Sequence, residues 1–113
     1  MAKPEIEFVD CDLVYQWRPV EGDKYGIMEK ILSHDPVTGN YTRLLKFPPG
    51  LETEETLVHD FWEEVWIVEG TLYDIAKGQT FLAGYYACRP PGMTHGPYRI
   101  PYGCVTSEIR NYK

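Results

Sequence analysis

Three observations on this 113-residue chain predict an all-β fold, a sandwich or a closed barrel. Ten glycines and nine prolines punctuate it too often for long helices. Between them lie short runs rich in Val, Ile, Tyr, Trp, Phe and Thr, the residues that suit a pleated, half-buried surface. Turn signals recur at the short spacing typical of sandwiches and barrels.

From the N-terminus, residues 1–22, with Trp17-Arg18-Pro19, are read either as an edge strand or as an arm over a second subunit. Strands are expected near 26–32 and 40–47, and the SHDPVTGN stretch at 33–40 carries Asp-Pro and Gly-Asn, so the two should pair as a hairpin. Pro48-Pro49-Gly50 stops the second strand. Further strands are expected near 54–59, 63–69, 71–76, 84–89 and 103–111. Glu69-Gly70 and Lys77-Gly78-Gln79 are read as tight turns. There is no internal repeat and no low-complexity segment.

The length corresponds to one domain with a single core. A net charge of −6, with Lys and Arg scattered rather than clustered, excludes a nucleic-acid partner, because phosphate neutralisation needs a basic patch. No apolar run approaches the roughly 18 residues a membrane-spanning helix needs, and MAKPEIEFVD lacks the basic-then-apolar pattern of a secretion signal. Cys11, Cys88 and Cys104 are odd in number and far apart, which fits reduced thiols in a cytoplasm. The expectation is a cytoplasmic domain with a small-molecule substrate and neither a nucleic-acid nor a membrane partner. An aromatic-rich N-terminal arm and an open sheet edge add the expectation of a homodimer.

Chemistry concentrates in two segments. The first is His59-Asp60-Phe61-Trp62-Glu63-Glu64-Val65-Trp66-Ile67-Val68-Glu69-Gly70. Strand side chains repeat every two residues, so a His and a carboxylate four apart can share one side of a strand pair. The second is Arg89-Pro90-Pro91-Gly92-Met93-Thr94-His95-Gly96-Pro97, where a strand breaks at Pro-Pro-Gly and a His follows. Two imidazoles and one carboxylate (His59, Glu63 and His95) form a three-ligand set for one divalent ion, Fe2+, Mn2+, Zn2+ or Ni2+, with positions left for substrate or water. Taken one at a time, each of these residues is more often an ordinary surface or core side chain than a ligand. The pairing of the segments is what carries the reading.

Those segments resemble the two motifs of the cupin superfamily, G-x5-H-x-H-x3,4-E-x6-G and G-x5-P-x-G-x2-H-x3-N. The second reads Gly84-x5-Pro90-x-Gly92-x2-His95-x3-Arg99, departing only in Arg for Asn, and the first reads His59-x3-Glu63-x6-Gly70. Residues 50–99 carry the resemblance, which implies a double-stranded β-helix, or jelly-roll barrel. The stretch is similar to the cupin domain of zinc-binding anti-sigma factors and to short cupins resembling dioxygenases of small diketones and aryl ketones. It implies that His59, Glu63 and His95 are the metal ligands. Two departures stand out: Leu57 replaces the first metal His of the family, and Gly50 is one residue further away than usual. Three alternatives follow. The ion sits on a two-His, one-carboxylate face; Glu55 or Glu64 supplies a further ligand; or the ion is lost and His59 and the carboxylates act as acid and base.

Phe47, Phe61, Trp66, Tyr73 and Tyr86 are expected to line the barrel interior, with Met93 from the second segment, although such aromatics are as readily plain core. Arg43 shares strand parity with Leu45 and Phe47. If it faces inward it needs an anion, either a substrate oxyanion or Glu108. Glu108 and Arg110 alternate on the last strand and are expected to pair. Arg99 either closes the pocket mouth or lies in solvent, Tyr98 either orients substrate or forms the rim, and Cys88 is read as a buried, inert thiol near the mouth. Three function classes stay open. The first is a metal-dependent enzyme on a diketone, hydroxy-ketone or keto acid, with dioxygenase-type C–C cleavage ahead of isomerase, decarboxylase or lyase chemistry. The second is a metal-free cyclase, dehydratase or isomerase. The third is a metal-stapled binding or regulatory module.

Overall fold

The computed structural model describes residues 3–112; positions 1, 2 and 113, including the start of the 1–22 segment, lie outside the described residues. The element order is α1 (Cys11–Val14), β1 (Arg18–Pro19), β2 (Met28–His34), β3 (Tyr41–Phe47), β4 (Leu51–Glu52), β5 (Leu57–Val58), β6 (Trp62–Asp74), β7 (Gln79–Leu82), β8 (Tyr86–Arg89), β9 (Thr94–His95), β10 (Tyr98–Ile100) and β11 (Cys104–Asn111). Every pairing is antiparallel. One nine-stranded sheet runs β1-β2-β3-β11-β6-β10-β4, with β7 and β8 also on β6, and β5-β9 forms a separate two-stranded ribbon.

The 33–40 turn forms as expected. Asp35 N–H donates to Asn40 O at 2.8 Å, Gly39 N–H to Asp35 O at 2.8 Å, and Asp35 Oδ1 accepts from Val37 N–H at 2.8 Å. The Asp side chain thus caps its own turn, the role for which Asp is favoured there. Before β1, Lys30 Nζ lies over the Trp17 ring at 4.7 Å and donates to Cys11 O at 3.0 Å. The segment from Cys11 to Pro19 is therefore folded onto its own sheet, with β1 as an edge strand on β2.

The expected strands 63–69 and 71–76 are a single element, β6, and Glu69-Gly70 is a bend inside it rather than a tight turn. The cause is local. A Cβ on Gly70 would lie 2.2 Å from Gly103 O, and its φ of +81° suits glycine alone. At this point the strand changes partners: its first half pairs with β11 and β8, its second with β7 and β10. The turn after it spans 75–78, one step earlier than read, so Gln79 already belongs to β7, and the expected 54–59 strand shrinks to Leu57–Val58.

Alternation decides what faces inward. Arg43, Leu45 and Phe47 of β3, Glu63, Val65 and Ile67 of β6, and Cys104, Thr106 and Glu108 of β11 turn into the curled sheet. The apolar core at one end is Leu51, Ile67, Leu72, Ile100 and Cys104, with Tyr25, Ile27, Phe47, Phe81 and Tyr98 packed against it. Burying one such aliphatic side chain contributes about 1.5–3 kcal/mol. The other end of the interior is charged.

Candidate metal centre

His59 follows the short strand β5, Glu63 sits on the inward face of β6, and His95 ends β9. Among the described residues these three form a group that could hold a metal ion, with one candidate ligand atom from each, all within 4.8 Å of one another. His59 Nε2 lies 3.7 Å from Glu63 Oε2, and His95 Nε2 lies 3.8 Å from Glu63 Oε1. The two imidazole centroids are 5.1 Å apart. Glu63 is 2 % exposed. Leu57 is the register partner of His95 across β5–β9, so the position of the family's missing His flanks the cluster with an apolar side chain.

Buried charges surround the cluster. Arg89 Nη1 donates to Glu63 Oε1 at 2.6 Å, and Arg110 Nε lies 3.8 Å from Glu63 Oε2. Arg110 Nε donates to Glu108 Oε1 at 2.8 Å, Arg43 Nη2 lies 2.8 Å from the same oxygen, and Arg43 Nη1 donates to Glu29 Oε1 at 2.7 Å. Three carboxylates and three guanidinium groups thus run through the interior. Tyr98 hydroxyl accepts from Arg89 Nη2 and is hydrogen-bonded to His95 Nδ1, each at 2.9 Å. Burial, then the nearby Arg89 guanidinium and His59, hold the His95 imidazole well below its ordinary range, down to about 4. At neutral pH it is therefore an uncharged lone-pair donor. Its Nε2 is buried and finds no hydrogen-bond partner in the protein. A buried polar atom without a partner is costly, and a cation between Nε2 and Glu63 would supply one, so the donor set fits a divalent ion.

The remaining predicted residues divide in two. Phe61 is buried and stacks on His59, with centroids 4.6 Å apart and planes at 15°. Arg43, Phe47, Tyr98, Glu108 and Arg110 line a cavity of about 270 Å³ that includes His59, Glu63 and His95. Arg43 does face inward, but its anions are Glu29 and Glu108. A second cavity of about 460 Å³, bordered by Phe81, Tyr85 and Met93, shares Val65, Leu72, Arg89, His95 and Tyr98 with the first.

Trp66, Tyr73 and Tyr86 are corrections: alternation from Glu63 and Leu72 sends the first two to the outer face, and Tyr86, the register partner of Trp66, lies there with them, hydrogen-bonded to the outward Glu64. Trp66 is half exposed, and Tyr73 lies beneath the Arg99 guanidinium at 5.5 Å. Arg99 is on the solvent side, 3.1 Å from Glu52. Cys88 is exposed rather than buried, opposite the outward Glu64 on β6. Neither spare carboxylate joins the cluster. Glu64 points outward and accepts from Tyr86 hydroxyl. Glu55, at the cavity rim, pairs with Lys24 Nζ at 2.7 Å and accepts from Tyr25 hydroxyl, and these hydrogen bonds pull its carboxyl down to about 2. Arg89 and Glu29 were missed. Arg89 stands just before the motif proline, but its role depends on the β6–β8 register, in which it faces Glu63, and nothing local in the sequence reveals that register.

A curled antiparallel barrel with the motif histidines and glutamate converging inside it is a cupin. The chain matches the ChrR Cupin-like domain family over residues 7–108 and belongs to it. No curated protein matches the sequence. Solved structures share the fold at low identity. An RmlC-like cupin from Shewanella frigidimarina superposes with a TM-score of 0.76 at 18% identity, covering 100% of this chain and 96% of that one. An acetylacetone dioxygenase from Acinetobacter johnsonii gives 0.74 at 20%, covering 96% and 74%. The polyketide cyclase RemF from Streptomyces resistomycificus gives 0.71 at 16%, covering 96% and 81%. Among the described residues no helix is long and apolar enough to cross a membrane.

Proposed function

We propose that the chain is a metal-dependent cupin enzyme acting on a small oxygenated organic molecule, a diketone, hydroxy-ketone or keto acid, with dioxygenase-type C–C cleavage as the reaction. The observation that carries this reading is the buried, unpartnered Nε2 of His95 beside Glu63 and His59. When bound, a divalent ion supplies Lewis acidity toward the substrate's oxygens and, if it is iron, redox chemistry with O2. The protein's part is orientation and charge. Tyr98 holds the His95 ring through Nδ1, as outer partners of metal-binding imidazoles do. Phe61 fixes the His59 ring by stacking. Glu29, Glu63 and Glu108 already balance Arg43, Arg89 and Arg110, so an added divalent cation leaves the interior positive and favours an anionic ligand such as a deprotonated diketone. Leu57 leaves one flank of the cluster without a donor. A structural relative being an acetylacetone dioxygenase agrees with this substrate class.

The test is elemental analysis of the isolated protein, then paired aerobic and anaerobic assays on diketones and hydroxy-ketones. About one equivalent of metal and O2-dependent turnover are expected; stoichiometric metal-free protein with turnover intact would sink the reading. A second reading, acid–base catalysis without metal, is favoured by one distance: Arg89 already neutralises Glu63 at 2.6 Å. The metal analysis separates the two.

The proposal includes a cytoplasmic homodimer. The outer face of β6 and β8 supports it, since Trp66 and Tyr86 are register partners there and both are about half exposed, with Trp62 and Val68 on the same face. A dimeric mass in sedimentation at micromolar concentration is expected, and a monomer removes that part.

A further inference from the structure

Thr106 sits on the inward face of β11, opposite Leu45 of β3 and Ile67 of β6, and is 1% exposed. Its Oγ1 is buried and finds no hydrogen-bond partner in the protein. Leaving such a hydroxyl unpaired is costly. Packing does not explain it, because valine has nearly the same shape without the polar atom. Thr106 lines the same 270 Å³ cavity as the His59–Glu63–His95 cluster, among Leu45, Phe47, Leu51 and Ile100.

Register sets the separation. Arg110 stands opposite Glu63, and Thr106 lies four residues back along β11, about 13 Å of strand. The cavity therefore has a charged end, where a cation fits and which reaches along β11 to Glu108, and an apolar end around Thr106, whose hydroxyl is uncommitted. A molecule carrying oxygens only at one end would leave Thr106 unpaired.

We infer that Thr106 is a ligand-binding residue whose hydroxyl bonds a second oxygen of the substrate, remote from the oxygens that reach the His59–Glu63–His95 cluster. This rests on the metal-dependent reading above. It narrows the substrate to a 1,3-dicarbonyl or related chelating group joined through an apolar spacer, such as an aryl ring, to a distal hydroxyl or carbonyl.

The experiment uses the zinc-loaded protein and two probes of matched shape, 1-phenylbutane-1,3-dione and its 4-hydroxyphenyl analogue, with affinities measured by calorimetry. The unmodified chain is expected to bind the hydroxylated probe about tenfold more tightly, or 1.4 kcal/mol. Thr106→Val should abolish that preference while leaving affinity for zinc and for the phenyl probe unchanged, and Thr106→Ser should keep it. Without ligand, Thr106→Val should melt no lower than the unmodified chain, since it removes an unpartnered hydroxyl. An equal preference in the valine variant, or no preference in the unmodified chain, overturns the inference while zinc and phenyl-probe binding still stand for the parent reading. A several-degree fall in melting temperature shows the hydroxyl to be committed within the fold and overturns it too. Failure of the unmodified chain to take up zinc, or to bind either probe, removes the parent reading and this inference together.

Discussion

Replacing His95 with alanine is expected to weaken zinc binding on the order of 100–1000-fold and leave the barrel folded. The size follows from sharing out the free energy of a closed zinc site: about 10–16 kcal/mol over four ligands is about 2.5–4 kcal/mol for each. One lost imidazole then costs two to three powers of ten in affinity. The fold should survive because His95, on the two-residue strand β9, hydrogen-bonds through its ring to Tyr98 alone, while the core of Leu51, Ile67, Leu72, Ile100 and Cys104 lies elsewhere. Tyr98 also keeps its bond from Arg89. Competition against a chromophoric chelator, with circular dichroism on the same samples, measures both quantities. Unchanged zinc affinity in a folded variant would remove His95 from the site, and loss of the native spectrum would show the ring to be structural.

The barrel was legible in the sequence because it depends on short-range signals; the His59, Glu63, His95 convergence depends on the distant β5–β9 pairing and was legible only through the resemblance to the two cupin motifs. Proline and glycine spacing, the Asp35-to-Asn40 turn and period-two alternation each act within a few residues. Parity put Arg43 on one face with Leu45 and Phe47, and in the structure that face is the inward one. The same parity, stepped from Glu63 to Trp66, points Trp66 outward, so its aromatic character alone is no sign of an interior place. What stayed hidden depends on register between distant strands. Gly70 looked like a turn because the close backbone of Gly103, which only the β6–β11 pairing brings there, is invisible locally. Arg89 and Glu29 reach their partners across 26 and 14 residues. Strands of two or three residues such as β4, β9 and β10 exist only because a neighbour supplies their hydrogen bonds, so they carry no pattern of their own.

The buried ion network gives the largest expected stability effect. Arg43→Ala should cost about 3–5 kcal/mol, the range for breaking a buried pair from one side. Arg43 bridges two otherwise separate acids, donating to Glu29 Oε1 at 2.7 Å and from Nε to Glu108 Oε1 at 2.9 Å. Removing it leaves Glu29 with only Arg18, 3.8 Å away and largely in solvent, and Glu108 with Arg110 alone. Both acids are nearly buried, at 8% and 5% exposure, so water cannot replace the lost guanidinium cheaply. The cause is the stranded charge, not lost volume, and this separates the prediction from an ordinary cavity effect. Replacing Arg43 and Glu29 together with Met and Leu should recover much of the loss, because it removes an acid along with the cation and leaves Glu108 paired with Arg110. Urea denaturation of the metal-free protein reads both values. A single-variant cost below about 1 kcal/mol, or a double variant no better than Arg43→Ala, would mean that the network contributes little. In that case its function would lie in balancing charge around Glu63, where Arg110 links the two halves at 3.8 Å.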